Sequence, residues 1–152
     1  MSKQRLNQKL VAFQRTIIDL ERTLDEEKKH ASAREDAIFL GLFSVLDSFE
    51  NIFHNIAEKE QTLDKTGRRM LKSFRATHRK LMRLLEEHGV KQIQFPDGEA
   101  IVGLSRIIET KPQAGRREGE ILAIVRNGYQ SGQRVLRPAE VITVGYQNHE
   151  SV

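Results

Sequence analysis

The sequence predicts an α+β protein: a long N-terminal coiled-coil helix, a helical hairpin that builds a four-helix bundle in a homodimer, and a small, mostly-β C-terminal domain. Residues 3–56 hold no proline and a single glycine, Gly41, which leaves a very long helix uninterrupted. Apolar residues in that stretch recur at steps of four and three, the seam of paired helices. All three prolines and seven of the ten glycines lie beyond residue 95, where short β-type runs replace the helical period.

The seam begins with Leu6, Leu10, Phe13, Ile17, Leu20 and Leu24. It weakens where its continuation passes through Glu27, Ala31 and Arg34, and resumes at Ile38, Leu42, Val45, Phe49, Ile52 and Ile56. There Phe39, Phe43, Leu46 and Phe53 widen it. A narrow stripe suits a two-stranded coil, and a wide one suits a bundle. A helix over 3–56 is about 80 Å long at 1.5 Å per residue, whereas a compact chain of this size has a radius of gyration of about 15 Å. The seam therefore needs a partner of equal length, which a second copy supplies. Leu6, Leu10, Phe13, Ile17, Leu20, Leu24, Ile38, Leu42, Val45 and Phe49 are the expected dimer interface.

Residues 57–67 form a polar connection, and a second helix is expected over about 68–88. Leu71, Phe74, His78, Leu81 and Leu85 share one face of it, and Gly89 suits the position just past its end. His78 reads as a packed core histidine, since no carboxylate stands at helical spacing from it. On the opposite face lie Arg68, Arg69, Lys72, Arg75, Arg79, Lys80 and Arg83, seven bases without one acid. A solvated face partly offset by Glu21, Asp25, Glu26 and Glu27 ranks first, an acidic protein partner second and nucleic acid third. On the exposed side no aromatic residues interleave with the bases, so the stacking platform of a single-strand binder is missing.

After Gly89, Val90, Ile93 and Phe95 lead into the turn Pro96-Asp97-Gly98. Strands are expected over Arg106–Thr110, Glu120–Arg126, Arg134–Leu136 and Val141–Tyr146, with 119–144 read as a strand, a glycine-rich turn and a second extended segment. The resulting domains are 1–37 (coiled coil), 38–89 (dimeric bundle) and 90–152 (β domain).

The 152 residues carry 25 bases and 21 acids, a net charge of +4, which alone does not imply a nucleic-acid partner. With no cysteine, disulfides, thiolate metal sites and a cysteine nucleophile are excluded. No unbroken run of about 18 apolar residues exists and the N-terminus is polar, so the chain reads as soluble and cytoplasmic, without a membrane partner. The five histidines, 30, 54, 78, 88 and 149, lack metal spacing. Neither a phosphate-cradling loop nor a nucleophile elbow occurs. No catalytic residue, metal or cofactor is expected, and an enzyme is the least supported class.

Several stretches resemble one family. Gly128-Tyr129, Arg134-Val135-Leu136-Arg137-Pro138-Ala139, Val141 and Val144 are similar to the C-terminal signature of the GrpE family, the nucleotide exchange factors of DnaK-type chaperones. Leu42-Phe43-Ser44-Val45-Leu46-Asp47-Ser48-Phe49-Glu50 resembles a second family segment, and Leu84-Leu85-Glu86-Glu87-His88-Gly89-Val90 a third. The resemblance spans about residues 38–145 and implies a divergent member. It implies a parallel homodimer whose β domain binds the chaperone's nucleotide-binding domain and promotes ADP release, without enzymatic chemistry. By the same match Arg134 is the first expected contact, followed by Tyr129, Leu136, Arg137 and Pro138. For Tyr129 and Leu136, packing inside the β domain is an equal alternative. Two other functions stay open: a coiled-coil scaffold without exchange activity, and a salt-sensitive nucleic-acid binder through 68–83.

Overall fold

The long helical period is realised as a single helix. The computed structural model describes residues 2–145, and in it α1 runs over Lys3–Ile56 without a break. The chain divides into two units, residues 1–39 and 40–152.

The first unit is helix only. Leu6, Leu10, Phe13, Ile17, Leu20, Leu24 and Ile38 are each exposed over half their surface or more, because one helix offers them nothing to pack against. Its polar side carries i,i+4 ion pairs, Lys29–Asp25 at 2.7 Å and Arg22–Glu26 at 3.7 Å, each worth about 0.3–0.5 kcal/mol. Although α1 has no unbroken apolar run, it contains an 18-residue window with a mean hydropathy of 1.2, which meets a membrane span in length and composition.

In the second unit α1 contributes residues 40–56, followed by a 3-10 turn at Glu60–Thr62 and by α2 over Lys65–Glu87. The second helix starts three residues before its expected position. Asp64 caps it, its side chain accepting a hydrogen bond from the Gly67 N–H at 2.7 Å, and an N-cap sets a helix start more sharply than hydrophobic period does. The helix ends as expected, with Gly89 at a φ of 76° where only glycine avoids a Cβ clash. Leu71 and Leu85 are buried, and Phe74, His78 and Leu81 are half-buried. They close on α1 through aromatic contacts: the Phe49 ring centroid lies 6.2 Å from both Phe74 and His78, and Phe53 lies 5.5 Å from His78. His78 does have a carboxylate neighbour. Its Nε2 is 2.8 Å from Glu50 Oε1, at ion-pair distance but outside hydrogen-bond alignment. The expectation of none at helical spacing holds, and Glu50 instead arrives across the hairpin, a proximity that intrahelical spacing does not sample.

Six strands follow: β1 Val90–Gln92, β2 Ser105–Lys111, β3 Ile121–Arg126, β4 Tyr129–Ser131, β5 Arg134–Arg137 and β6 Ala139–Val144. They form two three-stranded sheets, β1-β4-β5 and β2-β6-β3. The first is antiparallel throughout. In the second, β6 is central, parallel to β2 and antiparallel to β3. β5 and β6 are separated only by Pro138, whose missing N–H suits a point where one ladder ends and another begins. The segment 119–144 is therefore not one hairpin: β3 pairs with β6, and the expected glycine-rich turn contains β4. At three residues each, β1 and β4 are too short to display a period of two. The Pro96–Gly98 turn forms as expected, closed by Gly98 N–H donating to Phe95 C=O at 3.0 Å. Tyr146, an expected strand end, lies outside the described residues.

The two sheets meet where Gly128 crosses the β5–β6 junction. A Cβ on Gly128 would lie 2.4 Å from the Ala139 backbone nitrogen and 2.9 Å from Ile93 Cδ1, so no other residue fits without moving backbone. Gly128→Ala is expected to destabilise the protein by about 1–3 kcal/mol or more, read by urea unfolding. By contrast Gly41→Ala, in a helix with nothing within 4 Å of the new methyl, is expected to stabilise by about 0.5–1 kcal/mol. A Gly128→Ala protein as stable as the parent would refute this account of the junction.

Candidate functional site

Both stretches that resemble the family most closely converge on one cluster. Asp47 projects from α1 and receives two arginines from the β module. Arg137 Nη2 donates to Asp47 Oδ1 at 2.6 Å and Arg137 Nη1 to Oδ2 at 2.8 Å, while Arg126 Nε donates to Oδ2 at 2.9 Å. The remaining direction of the Arg137 fork is used as well, since Nε and Nη2 donate to the Asn127 C=O at 3.1 and 2.8 Å. Beneath this network the Phe43 and Tyr129 rings stack, with centroids 4.2 Å apart and planes within 10°. The Arg137 guanidinium carbon is 5.3 Å from the first ring and 5.4 Å from the second, inside cation–π range.

The electrostatics follow from that geometry. Partial burial pushes the Asp47 carboxyl up, but hydrogen bonds and charge from Arg137 and Arg126 outweigh it and hold the group below the usual carboxylate range. The Tyr129 hydroxyl is pushed up to about 12, chiefly by burial, and it has no hydrogen-bond partner among the described residues. Tyr129 thus acts through its ring face, not its oxygen.

The five expected contact residues divide into two groups. Tyr129 is fully buried and Arg137 is 9% exposed, and both are engaged inside the module. Arg134 is exposed, and Leu136 and Pro138 are half-buried. The split runs along β5 and not by simple alternation, because the β4–β5 ladder shifts register between Val135 and Arg137: Arg134 is exposed, Val135 and Leu136 are half-buried, and Arg137 is drawn in towards α1. Of the expected dimer residues, Val45 is exposed, while Leu42 and Phe49 are half-buried within their own chain.

Other residues around the cluster do not stand out in the sequence. Arg126 ends a strand and Asn127 follows it, and both resemble ordinary strand-end polarity. Asp47 lies in a resembling segment, but its partner is ninety residues away. The same holds for the exposed apolar side chains of the second sheet, Ile107 and Ile108 on β2 and Ile124 and Val125 on β3, where alternation alone does not distinguish a covered face from an open one. Beside Asp47 an open groove of about 680 Å³ runs between α1 and β3, lined by Glu50, Asn51 and His54 on one side and residues 123–127 on the other. Chemically the cluster is a fastener: each of the three Arg137 guanidinium nitrogens donates to an acceptor, which fixes β5 on the helix and leaves Arg134 exposed.

Known proteins with similar sequences fall in one family. The GrpE family profile matches residues 1–145. The chain is 30% identical over 132 residues to Protein GrpE of Helicobacter hepaticus, covering 87% of this chain and 66% of that one. It is 30% identical over 101 residues to Protein GrpE of Limosilactobacillus reuteri, covering 65% and 52%, and 26% identical over 137 residues to that of Clostridioides difficile, covering 90% and 63%. The chain thus spans between about half and two thirds of the length of these curated relatives.

The depressed Asp47 carboxyl gives a signed prediction. Its contribution to stability is complete above the unfolded carboxylate pKa of about 4 and is lost as pH falls toward the lower folded-state value. Asp47→Asn is expected to cost about 2–3 kcal/mol at neutral pH, less than a fully dry pair, and to flatten the acid limb of stability against pH between about pH 5 and 2. Urea midpoints across that range check both; an unchanged acid limb would contradict the assignment.

Proposed function

This chain belongs to the GrpE family, and from that premise we propose that it acts as a homodimeric nucleotide exchange factor of a DnaK-type chaperone in the cytoplasm. The observation that carries the reading is the clamped β5 strand, which presents exposed Arg134 close in sequence to half-buried Leu136 on a support that Arg137 and Asp47 hold in place. A pre-positioned contact strand loses little conformational freedom on binding. Arg134 is the leading contact, with Leu136 and Pro138 at its side; Tyr129 and Arg137 serve as positioning residues for it.

Exchange needs no covalent chemistry. A protein that binds the open, nucleotide-free chaperone more tightly than the closed ADP form shifts the chaperone toward opening. Reciprocity then requires ADP to weaken this protein's grip by the same factor. Pairing of two copies is supported by the bare stripe on α1, with Phe13 64% and Leu20 63% exposed. Each such side chain contributes about 1.5–3 kcal/mol when fully removed from water. The parallel direction of the pair is the family's.

Stopped-flow release of a fluorescent ADP analogue tests the activity. The full chain is expected to accelerate release from one of the host's DnaK-type chaperones. Arg134→Ala is expected to weaken chaperone affinity about tenfold, or ~1.4 kcal/mol, with an unaltered unfolding midpoint. A folded protein that accelerates none of them would leave the scaffold reading in its place. For the assembly, sedimentation equilibrium at micromolar concentration is expected to give twice the chain mass. Phe13→Asp with Leu20→Asp is expected to shift it to monomer; a monomeric parent would overturn the pairing.

A further inference from the structure

We propose that the outward face of α2 is a docking ridge for an acidic protein segment. Arg68, Lys72, Arg75, Arg79 and Arg83 follow one another at steps of four, three, four and four, so they share one side of the helix. All five are exposed, as are Arg69 and Lys80 at its flank. The ridge extends about 22 Å from Arg68 to Arg83 at the α-helical rise. The helix carries no acid between Lys65 and Leu85, and a row of like charges at this spacing opposes helix formation. Elsewhere in the chain Arg22, Lys29, Arg106, Arg116, Arg117 and Arg126 each have a carboxylate. Along the ridge only Arg75 has one among the described residues.

That single pair identifies the chemistry the ridge takes. Glu60, in the turn before α2, is held fork to fork, with Arg75 Nη1 donating to Oε1 at 2.6 Å and Nη2 to Oε2 at 2.7 Å. These hydrogen bonds hold the Glu60 carboxyl below its usual range. Carboxylates suit the remaining guanidinium forks in the same bidentate manner. An acidic helix with glutamates at the same three- and four-residue steps would place one carboxylate against each cation. The ridge is convex, and the rings next to it, Phe74 and Phe53 (the latter 6.0 Å from the Arg75 guanidinium carbon), are packed in the α1–α2 aromatic cluster and not laid open to stack a nucleobase. These features favour carboxylates on side chains over a nucleic-acid backbone.

The test is fluorescence anisotropy of the full chain with a labelled peptide of about fifteen residues, carrying glutamate at helical i, i+3 and i+4 steps. Its glutamine counterpart is the neutral probe. The glutamate peptide is expected to bind at low ionic strength, weaken as salt rises, and outcompete a duplex oligonucleotide of equal charge. Exchange of Arg68, Lys72, Arg79 and Arg83 for glutamine is expected to weaken it about tenfold or more, with circular dichroism unchanged. Arg79→Gln with Arg83→Gln alone is expected to give a smaller loss in the same direction, so the trend does not rest on the fold of the quadruple variant. Exchange of four exposed bases elsewhere, Lys9, Lys28, Lys59 and Lys91, for glutamine is expected to leave binding unchanged. Failure of the parent protein to bind the peptide at low salt would overturn the proposal. So would an equal loss in the second quadruple variant, which would signify bulk charge, or preferential binding of the oligonucleotide.

Discussion

A guanidinium taken out of water is costly unless its nitrogens find acceptors, and this constraint organises the second unit. Arg137 meets it with both oxygens of Asp47 and the Asn127 carbonyl. The helix supplies the carboxylate, the loop after β3 supplies the carbonyl, and β5 supplies the cation. None of the three can shift alone without stranding a charge. The stacked Phe43 and Tyr129 rings set the depth of the cluster, and Gly128 lets the chain pass close enough to Ala139 for the sheets to meet there. Much of the sequence signature is therefore architecture: its buried members hold a strand in place, and its exposed members use that strand.

The helices were largely legible in the sequence because their signal is long. Fifteen turns of one period leave little doubt about α1, and Gly89 marks the end of α2 by a conformation only glycine adopts cheaply. The β module was less legible. Runs of three residues carry no period, and a central strand parallel to one neighbour and antiparallel to the other cannot be read from local turns. The resemblance singled out Arg134 and Arg137 together. Only the fold separates them, with Arg137 drawn in by Asp47 and Arg134 left exposed. Exposed Ile107 and Ile124 gave no signal either, because β-branched residues occupy open and covered strand faces alike.

The two faces of α2 show how one helix serves two environments. Its apolar side closes on the aromatic residues of α1, where Phe49, Phe53, Phe74 and His78 form one cluster. Its other side gathers bases without acids, so the charge excess of the chain is concentrated instead of spread. Within α1 itself Asp25 and Glu26 are engaged with Lys29 and Arg22.

The placement of β6 bears on when the module can form during synthesis. It is the centre of its sheet and the last strand in chain order, and its parallel neighbour β2 begins some thirty residues earlier. While the ribosome still holds residues 134–144, β2 and β3 have no common strand to join them and Asp47 has no Arg137. The helices can form as they emerge, since their contacts are local. The β segment must instead wait as an open chain with its apolar strands uncovered, and then close in one late step. For that interval the nascent protein itself presents the kind of exposed β-branched segments that chaperones bind.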